Sequence, residues 1–90
     1  MDDPHGYHEL SRILNTVEAE LRSEGRDIEA DEIYRASRFA VGSPSEFLGE
    51  SRIALQRLLD SGVALRNGTE EVARATIDEI TAGFRRVGGQ

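Results

Sequence analysis

Cysteine, lysine and tryptophan are all missing from this sequence, and each absence closes a class of chemistry. Without cysteine there is no disulfide framework, no thiolate nucleophile and no cysteine-ligated zinc. Without lysine there is no Schiff-base amine and no phosphate-binding loop of the Gly-Lys-Ser/Thr kind. Long hydrophobic runs are absent too. No stretch approaches the roughly 18 apolar residues that cross a bilayer, and the opening Met1-Asp2-Asp3-Pro4 has no apolar run behind it, unlike a signal peptide. The expectation is a soluble, cytoplasmic protein. Alternating β-branched runs with hairpin turns are also missing, which argues against strands.

What is present is short and acidic. Ninety residues make a single domain, residues 1–90, with 1–6 and 88–90 read as flexible tails. A chain this short buries only about 60–70% of its unfolded surface, so a dimer that adds buried area makes physical sense. The net charge is −6, and all eleven basic residues are arginine. An anionic surface repels phosphate backbones and anionic lipid, which argues against nucleic-acid and membrane partners. A basic protein is the natural complement, although acidity also serves solubility.

Gly42-Ser43-Pro44-Ser45-Glu46 is the sharpest local signal, one helix ending and the next starting within five residues. Gly42 suits a left-handed position past a helix end. Ser43 is an N-cap, Pro44 occupies the first turn, and Glu46 completes a capping box. Around this break, four segments carry helical periodicity. The first has Leu10, Ile13, Leu14, Val17 and Leu21 on one stripe, begins near Asp3-Pro4 and stops at Gly25. Glu18 and Arg22 form a favourable i,i+4 pair on it.

The second runs from about Asp27 to Ala40, with Ala30, Ile33, Tyr34, Ser37, Ala40 and Val41 inward and an Asp31–Arg35 pair outside. Its acids gather near the start, where they complement the helix dipole. The third runs from the capping box to about Ser61, with Leu48, Leu55, Leu58 and Leu59 as its main stripe and Phe47 and Ala54 beside it. Gly49 inside it costs about 1 kcal/mol relative to alanine, unless it permits a close helix crossing. Gly62 to Gly68 is the longest connection. The last helix begins near Thr69, with Ala73, Thr76 or Ile77, Ile80, Phe84 and Val87 inward. The predicted fold is all-α, a small antiparallel bundle of three to four helices joined by short loops.

Catalytic constellations are weak. His5 and His8, three apart with Glu9 adjacent, could place metal-ligating atoms on one helical face. There is no second Glu-x-x-His for a di-iron bundle and no His-Glu-x-x-His. None of the seven serines sits in a Gly-x-Ser-x-Gly elbow. The expectation is therefore no catalytic residue, no metal and no cofactor. The helix–turn–helix around Gly42 does not suit DNA either, because the leading end of its second helix carries Ser45, Glu46 and Glu50.

The C-terminal Gly88-Gly89-Gln90 resembles two things, over three residues only. It is similar to the tripeptide of translation release factors, and to the tail of prokaryotic ubiquitin-like modifiers, where Gln90 would be the reactive end.

Tyr34 and Phe39 accompany Arg35 and Arg38 on the second helix, residue types favoured at interface hot spots. These four are the candidate partner-binding residues. The sequence therefore points to a non-enzymatic helical protein–protein interaction module, with a second copy of the chain, as a homodimer, among its candidate partners. The alternative is a small acidic inhibitor of the immunity or antitoxin kind acting on a basic protein, although the Tyr-Trp-Pro-type motif of colicin immunity proteins is not present.

Overall fold

The computed structural model describes the backbone of residues 5–88 and the side chains of residues 8–83 apart from Asn67. The expected ends at Asp3-Pro4 and at Gly89-Gln90 lie outside the described residues. The chain forms α1 (His5–Ser23), α2 (Asp27–Ser37), a 3-10 turn (Arg38–Val41), α3 (Pro44–Asp60) and α4 (Asn67–Gly88). It is the expected all-α bundle, with no strand among the described residues. No described helix is long and apolar enough to cross a membrane. His5, Gly6 and Gly88, read as tail residues, belong to α1 and α4.

The α1 stripe is buried as its spacing requires. Leu10, Leu14, Val17 and Leu21 enter the core, and Ile13 packs at its edge. Gly25 then reverses the chain at φ 76°. The Arg26 N–H donates to the Leu21 carbonyl at 2.9 Å and the Gly25 N–H to that of Arg22 at 3.1 Å. This is the two-bond Schellman closure, which needs a left-handed residue at its centre. An added Cβ at Gly25 would meet nothing within 4 Å, so backbone conformation, not space, demands glycine there.

Arg22 ties α1 to α2. Its Nε donates to Glu18 at 2.9 Å and its Nη2 to Asp31 at 3.0 Å. The bonds to Asp31 and Glu18 raise the guanidinium pKa further above its ordinary value. Glu18–Arg22 is thus formed as expected, whereas Asp31 turns to Arg22 and not to Arg35.

Helix α2 buries Ala30, Ile33 and Ala36. The inward assignment of Tyr34, Ala40 and Val41 is overturned, since Tyr34 is 44% and Val41 96% exposed and Ala40 is also exposed. Ser37 is half-buried, its hydroxyl donating to the Tyr34 carbonyl at 2.6 Å. The cause is a change of helical pitch. After Ser37 the chain tightens into a 3-10 turn of three residues per turn. That change of phase swings Phe39 against the core and carries Ala40 and Val41 off it.

The break before α3 also differs from expectation at one residue. Gly42 has φ −113° and ψ −133°, not a left-handed conformation. Its N–H closes the 3-10 turn on the Phe39 carbonyl at 2.9 Å, and the chain leaves extended. Among the described residues the left-handed glycines are Gly25 and Gly62. Ser43 is the expected N-cap, its Oγ accepting from the Glu46 N–H at 3.4 Å with Pro44 opening the helix. The capping box is not completed: among the described residues the Glu46 carboxylate makes no bond back to the Ser43 N–H, and the Ser43 hydroxyl lies 3.2 Å from that of Ser45.

On α3 the buried line is Phe47, Ser51, Ala54, Leu55 and Leu58, with Leu48 and Leu59 packing at its margin. The buried stripe is rotated from the leucine-based one and includes Phe47, which is 1% exposed. Gly49 is half-buried. Ser51 is fully buried (0% exposed), and its Oγ has no hydrogen-bond partner among the described residues.

Helix α4 starts at Asn67, two residues before the expected Thr69. Ala73, Thr76, Ile77 and Ile80 enter the core. The side chains of Phe84 and Val87 lie outside the described set. The early start has a source far away in sequence. Glu20 on α1 is 5% exposed; its Oε2 accepts from the Arg66 N–H and its Oε1 from the Thr69 hydroxyl, both at 2.7 Å. A carboxylate from the first helix therefore caps the last one, satisfying an otherwise orphaned donor and complementing the dipole.

A candidate protein-contact groove

The four residues chosen from sequence do not form one cluster. Arg38 lies over the Tyr34 ring, its guanidinium carbon 5.8 Å from the ring centroid. Such an exposed cation–π contact contributes about 0.5–1 kcal/mol. Arg35 and Phe39 line a groove between α2 and α3 that Tyr34 and Arg38 do not reach. Helical geometry separates the pairs, because positions 35 and 39 share one side of the helix while 34 and 38 share another.

The groove has a volume of about 220 Å³. Ala36 and Phe39 on one wall and Ile53 and Ala54 on the other make its apolar lining. Ile53 is 43% exposed, a large hydrophobe left to solvent in the middle of α3. The rim is charged and balanced, with Glu32 and Arg35 from α2 and Glu50 and Arg57 from α3. Arg57 Nη1 donates to Glu32 Oε2 at 3.3 Å and bridges the two helices. Arg35 and Glu50 make no ion pair among the described residues.

Of the four candidates, Arg35 and Phe39 line this groove; Glu32, Glu50, Ile53 and Arg57 line it too and were not among them. The available signal was Ile53 itself, an isoleucine off the apolar stripe of its helix. Once α2 and α3 are known to pack antiparallel, that position faces the side of α2 carrying Arg35 and Phe39.

A second, larger groove of about 570 Å³ runs between α1 and α4, lined in part by Arg12, Ile13, Arg66, Thr69 and Val72. The start of α4 lies beside it. That helix terminus does not await an anion, because Glu20 already supplies one. Burial pushes the Glu20 carboxyl up, but the bonds from Thr69 and Arg66 and the Arg66 charge outweigh it, and the pKa falls below the usual value.

His8 and Glu9 are exposed, and the His5 side chain lies outside the described set. Among the described residues no three His, Cys, Asp or Glu side chains come together as a metal site. The Gly88-Gly89-Gln90 resemblances fall largely outside the described residues. Compared with protein-family models, curated proteins and solved structures, the sequence and fold give no match.

Proposed function

We propose that this chain is a non-enzymatic helical interaction module and that the α2–α3 groove is its contact surface. One observation carries the reading: Ile53, half exposed, stands with Phe39, Ala36 and Ala54 in a concave apolar strip rimmed by four charges. An apolar centre within a polar rim is the usual anatomy of a protein contact. A cavity near 150 Å³ already accepts a benzene-sized group, so about 220 Å³ accepts an anchoring side chain. The balanced rim, two Glu against two Arg, does not select a uniformly basic partner. That favours the interaction-module reading over an acidic inhibitor, whose contact surface would concentrate carboxylates.

The test is site-specific photo-crosslinking. A benzoylphenylalanine at position 53 is expected to give a discrete adduct, identified by mass, in purified protein or in extract of the cells that make it. The same group at Ala75, exposed on α4, is expected to give none. Equal labelling from both positions, or none from position 53, would refute the reading.

A further inference from the structure

Resting on that reading of the groove, we infer that its occupant is a second copy of this chain, joined across a two-fold axis that pairs Arg35 of each copy with the partner's Glu50. A two-fold interface must be self-complementary, because residue i meets residue j and j meets i. The groove meets that condition in charge. Arg35 stands on its α2 wall and Glu50 on its α3 wall, and neither has an ion-pair partner among the described residues. A two-fold axis running along the groove lays α2 of one copy over α3 of the other. Each unpaired arginine then approaches an unpaired carboxylate, twice over. The Glu32–Arg57 pair is already satisfied and remains as it is.

The same rim explains how two acidic molecules can meet at all. Each copy carries a net −6, so most pairings of two surfaces bring like charges together. The groove sums to zero over Glu32, Glu50, Arg35 and Arg57, which lets apolar contact proceed without that repulsion. Ile53 of each copy supplies the knob, and the partner's strip of Ala36, Phe39 and Ala54 supplies the recess. A chain of 90 residues has a thin burial margin, and covering Ile53 and Phe39 adds to it.

Sedimentation equilibrium of the full chain tests this. Wild type is expected to show a concentration-dependent species of twice 9.9 kDa. R35E and E50R, each at an exposed, unpaired position, are each expected to weaken association about 10–100-fold, since each sets like charges opposite one another twice. Mixed in equal amounts, the two variants are expected to regain wild-type affinity, because both contacts then pair opposite charges. Circular dichroism of each single variant confirms that the fold is intact.

A wild type that stays monomeric, a dimer indifferent to both reversals, or a mixture that fails to recover would each overturn the inference. If the wild type is monomeric while position 53 crosslinks to a chain of another mass, the second copy is excluded and the groove reading stands. If the wild type is monomeric and position 53 gives no adduct, both fall.

Discussion

Replacing Glu20 separates three contributions that meet at the start of α4. In E20A the Arg66 N–H and the Thr69 hydroxyl both lose an acceptor, and the helix loses a charge at its positive end. A lost N-terminal cap costs about 0.5–2 kcal/mol, and hydrogen bonds to a charged group contribute about 1.5–3 kcal/mol. The site is covered but lies close beneath the surface, so water can reach the abandoned donors. The expected cost of E20A is therefore about 2–3 kcal/mol, not the sum of every bond.

E20Q keeps the shape and both bonds: its carbonyl oxygen serves the Arg66 N–H, and the Thr69 hydroxyl turns to accept from the amide. Only the charge is removed, and the expected cost is about 1 kcal/mol or less. Urea unfolding at pH 7 measures both values, with thermal midpoints falling about 4–8 °C per kcal/mol for a domain of this size.

The pH dependence has a fixed sign. The folded-state pKa of Glu20 lies below its ordinary value, so its stabilisation is complete above about 4.5 and is lost as pH falls through the folded value. The gap between wild type and E20Q is expected to be constant from pH 6 to 8 and to narrow below about pH 4.5. An E20A within 0.5 kcal/mol of wild type, or a gap that widens in acid, would refute the reasoning.

Other sites give independent checks. S51A removes a fully buried hydroxyl with no partner among the described residues, and is expected to stabilise the fold by up to about 1 kcal/mol in urea. G25A forces a Cβ into the left-handed closure of α1 and is expected to cost about 1–2 kcal/mol in the same assay. S43A removes the α3 cap; a loss of about 0.5–1 kcal/mol is expected, modest because the bond is long at 3.4 Å.

The sequence was informative wherever structure is local. Periodicity over Leu10 to Leu21 and the Ser43-Pro44 start are set by neighbours within a turn or two, and both appear as read. It was less informative where a pattern changes pitch. Ala40 and Val41 continue an α-helical stripe on paper, but the chain passes into a 3-10 turn there and the stripe rotates away. It was silent where the partner is remote. Glu20 reads as one more solvated carboxylate on α1, and nothing near it signals that Arg66 and Thr69 will fold onto it. The groove fails for the same reason. Arg35 and Phe39 are visible as residue types, but Ile53 joins them only through the packing of α2 against α3.

The Glu20 cap also bears on the order in which the chain becomes ordered. Its two bonds span 46 and 49 residues, so the first turn of α4 rests on a group made near the beginning of the chain. Synthesis from the N-terminus supplies that carboxylate before the two donors that bind it exist. A fragment comprising residues 61–90 lacks it, and short helices in water are marginal without tertiary support. In such a fragment the turn at Arg66 to Thr69 is expected to fray, and adding a peptide of residues 5–37 in trans is expected to restore it. The last helix of this bundle is in that sense completed by its first.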